Sequence, residues 1–162
     1  MTKRNQTSHA LAKKIILMII IAELAGVIGS VVTIPAIGSW YVTLNKPWFT
    51  PPSWAFGPVW ITLYALMGIG AGLVWNSLRK LKKTALQIYG IQLALNVIWS
   101  FLFFGLKNIL VSFIEIGIMW IIILLTIIAF YKVNRKAAYL LLPYIVWVTI
   151  ATSLNYYVWL LN

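Results

Sequence analysis

Five apolar runs, at 15–36, 56–77, 85–105, 110–131 and 139–161, fill almost all of a 162-residue chain. About twenty such residues in a helix cross the hydrocarbon core of a bilayer. The separators are short and either polar or proline-rich. Hydrophobic side chains make up 62% of the chain and charged ones 9%, far from the balance of a water-soluble domain. Backbone inside hydrocarbon must satisfy its own hydrogen bonds, which helices do one span at a time. The pattern predicts an all-α membrane protein, a single domain over 1–162 built as a five-transmembrane-helix bundle. Lys3, Arg4, Lys13 and Lys14 precede the first run as in a secretory signal. That run is too long for a signal core and carries no A-x-A cleavage pattern, so it is expected to remain as a span.

The net charge of +11 raises the question of nucleic acid, and its distribution answers it. In a five-span chain four basic residues precede the first span. Arg79, Lys80, Lys82 and Lys83 follow the second, and Lys132, Arg135 and Lys136 follow the fourth. Only Lys46 and Lys107 fall on the other side. This is the positive-inside asymmetry, which places the N-terminus inside and the C-terminus outside and brings the basic clusters to anionic membrane lipids. No basic face with interleaved aromatics is present for stacking bases, so nucleic acid is not an expected partner.

Ionisable chemistry is almost absent. There is no cysteine, one histidine (His9, in the polar leading segment) and two carboxylates, Glu23 and Glu115, on separate spans. A nucleophile with base and orienter, a metal site and a paired-carboxylate hydrolase each need more than this. Neither a metal nor a covalently bound cofactor is expected. Glu23 lies near the middle of its span, where a carboxylate normally faces the bundle interior. It serves either as a proton- or cation-linked group or as a protonated acid hydrogen-bonded to another helix. Glu115, near the outer end of its span, is expected to be accessible and partly hydrated.

Small residues at Ala22, Gly26 and Ser30, and the pair Gly68 and Gly72, suit close helix packing, within the bundle or between two copies. Polar and aromatic residues recur on single faces: Gln92, Asn96 and Trp99 on the third span, Pro143, Trp147, Ala151 and Asn155 on the fifth, Trp60 and Tyr64 on the second. Amides in hydrocarbon need partners, so these faces should turn inward. Together they describe either a flat, mostly apolar cavity for a planar ligand or an aromatic-rich core with satisfied amides. Trp40, Tyr41, Trp48, Tyr131, Tyr139 and Trp159 fall near span ends, where aromatic belts form.

The segment "LNKPWFTPPSWAFGPVW" (44–60) joins the first two spans on the sparsely charged side. Pro47, Pro51 and Pro52 fix φ and deny continuous helix, which makes the loop stiff. Ser53 is placed to cap the second helix. The loop reads as a lid across the helix ends, with Trp60 hanging beneath it.

Three blocks of the chain, "WYVTLNKPWFTPPSWAFGPVWITLYALMG", "GIQLALNVIWSFLFFG" and "LLLPYIVWVTIATSLNYYVWLLN", resemble the translocator protein/tryptophan-rich sensory protein (TspO/MBR) family. They cover three spans and the first loop in matching order. The resemblance implies a five-helix bundle, usually a homodimer, that binds porphyrins such as protoporphyrin IX and isoquinoline-carboxamide or benzodiazepine-type ligands. It also implies that some bacterial members degrade protoporphyrin in light and oxygen. The family's pocket tryptophans fall on Trp60 and Trp147, its small fifth-helix residue on Ala151 and its third-helix amide on Asn96. Tyr41, Pro51 and Pro52 match its lid. Tyr64, Gln92, Trp99 and Asn155 complete the expected ligand-binding set through the polar faces described above.

A photo-oxidative reaction would suit a chain without acid–base pairs. The excited porphyrin and oxygen supply the chemistry, with Trp60 and Trp147 as redox partners or simply as stacking surfaces. Animal members carry an L/V-x-Y-x-K/R pattern late in the fifth helix. Here Tyr156 and Tyr157 are followed by no basic residue, which argues against a sterol ligand. The basic loops point to a bacterial cell membrane. A small porphyrin transporter with Glu23 as coupling group is the alternative function.

Overall fold

Helices account for all the long apolar runs. The computed structural model describes residues 3–162, with side chains from residue 9 onward, so the Lys3 and Arg4 side chains lie outside the described residues. Helix α1 spans Lys3–Gly38, α2 Ser53–Asn76, α3 Lys82–Ser100, α4 Ile109–Val133, α5 Arg135–Tyr139 and α6 Leu142–Leu161. A 3-10 turn at Tyr41–Thr43 follows α1, and a π-helical turn at Phe101–Gly105 extends α3. Five stretches are long and apolar enough to cross a bilayer: His9–Gly38, Ser53–Asn76, Lys82–Gly105, Ile109–Val133 and Arg135–Leu161. The expected five-helix bundle is therefore present, with boundaries close to those read from the sequence.

Two local features differ from expectation. The fifth span is broken, because the chain turns at Leu140 and Leu141 before Pro143 enters the first turn of α6. A proline there loses no helical hydrogen bond and presets φ for the new helix. Ser53 does not cap α2. It is the first helical residue, Pro52 holds the extended cap position, and no side-chain cap bond forms. Asn108 does cap α4, accepting from the Val111 N–H at 3.1 Å, just after Lys107 adopts φ 55° to turn the chain.

The helices form a closed ring. Helix α1 packs on α2 and α3, α3 on α4, and α4 on α6, while α2 meets α5 and α6. Gly68 and Gly72 lie in the tightest seam, buried against the α1 backbone. A Cβ on Gly72 would sit 2.6 Å from the Ile15 Cα, so this small-residue pair serves packing inside the bundle. At one end Lys14 Nζ donates to Asn76 Oδ1 at 3.0 Å, joining the start of α1 to the end of α2. At the other, Asn45 N–H donates to Asn162 Oδ1 at 3.0 Å, and Asn162 Nδ2 donates back to the Asn45 carbonyl at 3.0 Å. The proline-rich loop is thereby tied to the last turn of α6.

Candidate ligand site between the first two helices

Between α1 and α2 the structure leaves a cavity of about 500 Å³. Glu23, Gly26, Gly29, Ser30 and Thr33 form its α1 side; Ser53, Trp54, Phe56, Gly57, Trp60 and Tyr64 form its α2 side, and Ser100 reaches in from α3. Small residues on α1 let its neighbours approach closely. At Gly26 the Tyr64 ring occupies the place a Cβ would take, and at Gly29 a Cβ would lie 2.9 Å from Ser100 Oγ. The Ser30 and Thr33 hydroxyls donate to the carbonyls of Val27 and Gly29, at 2.7 and 2.9 Å, and present their oxygen lone pairs as acceptors.

Aromatic rings form the opposite wall. Trp60 lies 5.5 Å from Tyr64 and 6.2 Å from Tyr144, and Phe56 lies 6.0 Å from Trp147, between ring centroids. The rim is apolar and exposed, with Val27, Ile34, Trp54 and Ile61 showing 58%, 70%, 77% and 62% of their surface. In a membrane-spanning bundle such a rim faces acyl chains, so the cavity opens sideways into the bilayer as well as toward the loop. Glu23 is the only carboxylate on its wall, and it is half-buried.

The other expected site residues fall into three groups around this cavity. Asn96 is fully engaged in the core. It accepts from the Tyr64 hydroxyl and donates through Nδ2 to the Tyr144 hydroxyl at 3.2 Å, which in turn points at Met119 Sδ at 4.0 Å. Trp99 donates through Nε1 to Asn155 Oδ1 at 3.1 Å, and Asn155 Nδ2 donates to the Ile109 carbonyl at 3.0 Å. Gln92 is buried one turn further in, with Nε2 3.8 Å from Met67 Sδ. These amides tie α2, α3, α4 and α6 together and are not part of the cavity lining. Trp147 and Ala151 are half-buried on α6 and off the cavity surface, with Trp147 behind Phe56.

Near the loop, Tyr41 is buried among Phe56, Phe103 and Phe104, at 6.4, 6.3 and 5.9 Å. Burial pushes its phenol pKa up. Lys46 Nζ lies 4.9 Å over the Tyr41 ring and donates to the Tyr41 and Leu44 carbonyls, both at 2.8 Å. Pro51 and Pro52 stiffen the approach to α2 without lining the cavity; their neighbours Ser53 and Trp54 do line it. Trp48 points outward, 95% exposed.

Pro143 is exposed although Asn155, on the same expected stripe, is buried. Each step of four residues turns a helix about 40° past a full circle, so three steps carry the stripe about 120° around α6. Glu115 also departs from expectation. Its face of α4, with Ser112, Ile116 and Met119, turns inward, so it is buried rather than hydrated, and neither oxygen has a hydrogen-bond partner among the described residues. The α1 wall of the cavity went unread in the sequence. Its signal was the proximity of Glu23 to Gly26 and Ser30, which were read above only as packing residues; Gly29 was not singled out.

The comparisons with known proteins agree with this architecture. Residues 18–160 match the model of the TspO/MBR family. The chain is 42% identical to the tryptophan-rich protein TspO of Archaeoglobus fulgidus, over 88% of this chain and 94% of that one. It is 38% identical to the tryptophan-rich sensory protein of Cereibacter sphaeroides, over 76% and 77%. Against the translocator protein of Homo sapiens it is 42% identical, over 74% and 73%. With five membrane-crossing helices and a family match over nearly all of them, the chain is an integral membrane protein and belongs to the TspO/MBR family.

Proposed function

We propose that the protein binds a planar apolar ligand of the tetrapyrrole class, such as protoporphyrin IX, in the cavity between α1 and α2. The observation that carries this reading is the cavity itself: about 500 Å³, walled by Phe56, Trp60 and Tyr64 and opening through an apolar rim. That volume lies within the range of small-molecule sites, about 300–1,000 Å³, and its lining has their usual character of aromatic walls with few polar groups. The macrocycle packs against Trp60 and Phe56. Glu23 and the Ser30 and Ser100 hydroxyls meet its pyrrole or carboxyl groups. Flat isoquinoline-carboxamide and benzodiazepine-type ligands fit the same description.

The loop from Lys46 to Ser53 acts as a stiff cover, anchored through Asn45 and Asn162 and ending in Trp54 at the rim. With light and oxygen supplying excitation and oxidant, Trp60 is the side chain best placed to donate an electron to an excited ligand, and Trp147 stands one ring further away. The homodimer is part of this proposal, as is insertion in a bacterial cell membrane with the N-terminus inside.

Binding is tested by titrating the detergent-solubilised protein with protoporphyrin IX and following tryptophan fluorescence. Saturable quenching is expected. Quenching that rises linearly, as for free tryptophan in the same micelles, would remove the reading. The position of Glu23 on the cavity wall favours one second reading, a carrier in which this carboxyl gains or loses a proton as the ligand moves. Glu23→Gln should then abolish porphyrin flux across liposomes even at porphyrin concentrations that saturate the quenching titration; equal flux with wild type would exclude the carrier.

A further inference from the structure

We infer that the end of the bundle opposite the proline-rich loop holds a built site for the phosphate of an anionic phospholipid, formed by Arg79, Lys132 and Arg135. These three cations, with Tyr131 and Val133, line one pocket of about 500 Å³. Arg79 comes from the connection between α2 and α3; Lys132 and Arg135 flank the joint between α4 and α5. Residues far apart in the chain are therefore brought together by the closure of the helix ring.

The charges converge with no counter-charge in the chain. The only carboxylates in the sequence are Glu23 and Glu115. Glu23 sits on the wall of the other cavity, and Glu115 is buried in the first half of α4, nearer the opposite end. Cations sharing a cavity repel one another, and an anion from outside the chain relieves that repulsion. The fixed parts of the site suit a phosphate. The Arg135 guanidinium lies 5.2 Å over the Tyr131 ring, which holds the planar donor fork in place. The Arg79 backbone N–H donates to Ser77 Oγ at 3.2 Å, and the Arg79 carbonyl accepts from the Lys82 N–H at 3.2 Å, which fixes the loop. Guanidinium groups pair with phosphate oxygens two at a time, and the Lys132 ammonium adds a point charge.

The surroundings select an amphiphile over a free ion. Leu78, beside Arg79, is 97% exposed, and Tyr131 itself is exposed at the end of a span. An acyl chain running along the bundle would cover these apolar surfaces while the phosphate stays with the cations. Lys80, Lys82, Lys83 and Lys136 belong to the same basic end but not to the pocket lining. The site is thus distinct from the diffuse attraction that any basic loop exerts on an anionic leaflet.

The test is native mass spectrometry of the full chain released from detergent, with phosphatidylglycerol, phosphatidylcholine or inorganic phosphate added. The Arg79→Gln/Lys132→Gln/Arg135→Gln variant should lose phosphatidylglycerol retention by at least about tenfold. Lys80→Gln/Lys82→Gln/Lys83→Gln, which removes as many charges nearby, should change it less than about twofold. Circular dichroism of both variants checks that the helices are intact. Phosphatidylcholine should be retained far less than phosphatidylglycerol. Equal losses in the two variants would reduce the site to diffuse electrostatics and overturn the proposal. Full displacement of the lipid by an equimolar amount of inorganic phosphate would overturn the choice of a lipid.

Discussion

Asn96→Leu is expected to destabilise the bundle by about 2 kcal/mol, because it strands a buried tyrosine hydroxyl in hydrocarbon. Asn96 is the hinge of the only side-chain network seen to join α2, α3 and α6 among the described residues, bonding Tyr64 on one side and Tyr144 on the other. Tyr64, Asn96 and Tyr144 are all buried, Tyr144 completely. Leucine fills similar space, so packing changes little and the lost hydrogen bonds dominate. Such bonds between membrane helices average well below their aqueous desolvation penalty, since the unfolded chain in lipid also finds partners.

Removing one stranded partner as well should recover part of the loss. Adding Tyr64→Phe to Asn96→Leu is expected to return about 1 kcal/mol, because it removes one of the two stranded hydroxyls and leaves only that of Tyr144. Thermal unfolding in detergent, followed by circular dichroism, reads both variants. An Asn96→Leu protein as stable as wild type would mean that the network contributes nothing.

Trp60→Ala carries the largest expected effect on ligand. Trp60 lines the cavity and packs against Tyr64 and Tyr144 behind it. Truncating an aromatic anchor at the centre of a binding site costs about 2 kcal/mol or more, so protoporphyrin IX affinity should fall by roughly thirty-fold. Trp147→Ala should matter less, since Trp147 supports Phe56 without lining the cavity. The order of the two effects in the quenching titration is the informative result. A larger loss at Trp147 than at Trp60 would place the ligand on the α6 side of Phe56.

Periodicity made the helices legible because every span carries an apolar run longer than a core helix needs. It could not show the break at Leu140 and Leu141, since an apolar run reads the same whether or not a turn interrupts it. Gln92, Asn96 and Trp99 were read as one inward stripe, and two of the three are buried while Trp99 bonds across to Asn155. Their inwardness was visible; their partners were not. An amide turned to the interior serves a ligand or another helix equally well until the facing residue is known. Tyr144 and the Ile109 carbonyl, which complete the pairings, carry no signal of their own in the sequence. The cavity was missed on its α1 side for a related reason: a glycine gives the same signal whether a backbone, a side chain or a cavity lies beside it. Gly68 and Gly72 receive the α1 backbone, while Gly26 and Gly29 receive the Tyr64 ring and the Ser100 hydroxyl at the edge of the cavity.

Because the chain has no cysteine, a single introduced one can be labelled without background. Ser53→Cys places a thiol on the cavity rim, and Thr43→Cys places one at the same end of the bundle but away from the cavity. The most direct measurement is the rate of maleimide labelling of each variant with and without saturating protoporphyrin IX. A ligand held between α1 and α2 should slow labelling at Ser53→Cys several-fold and leave Thr43→Cys unchanged. Equal rates at Ser53→Cys with and without the ligand would contradict the assignment of the cavity as its site.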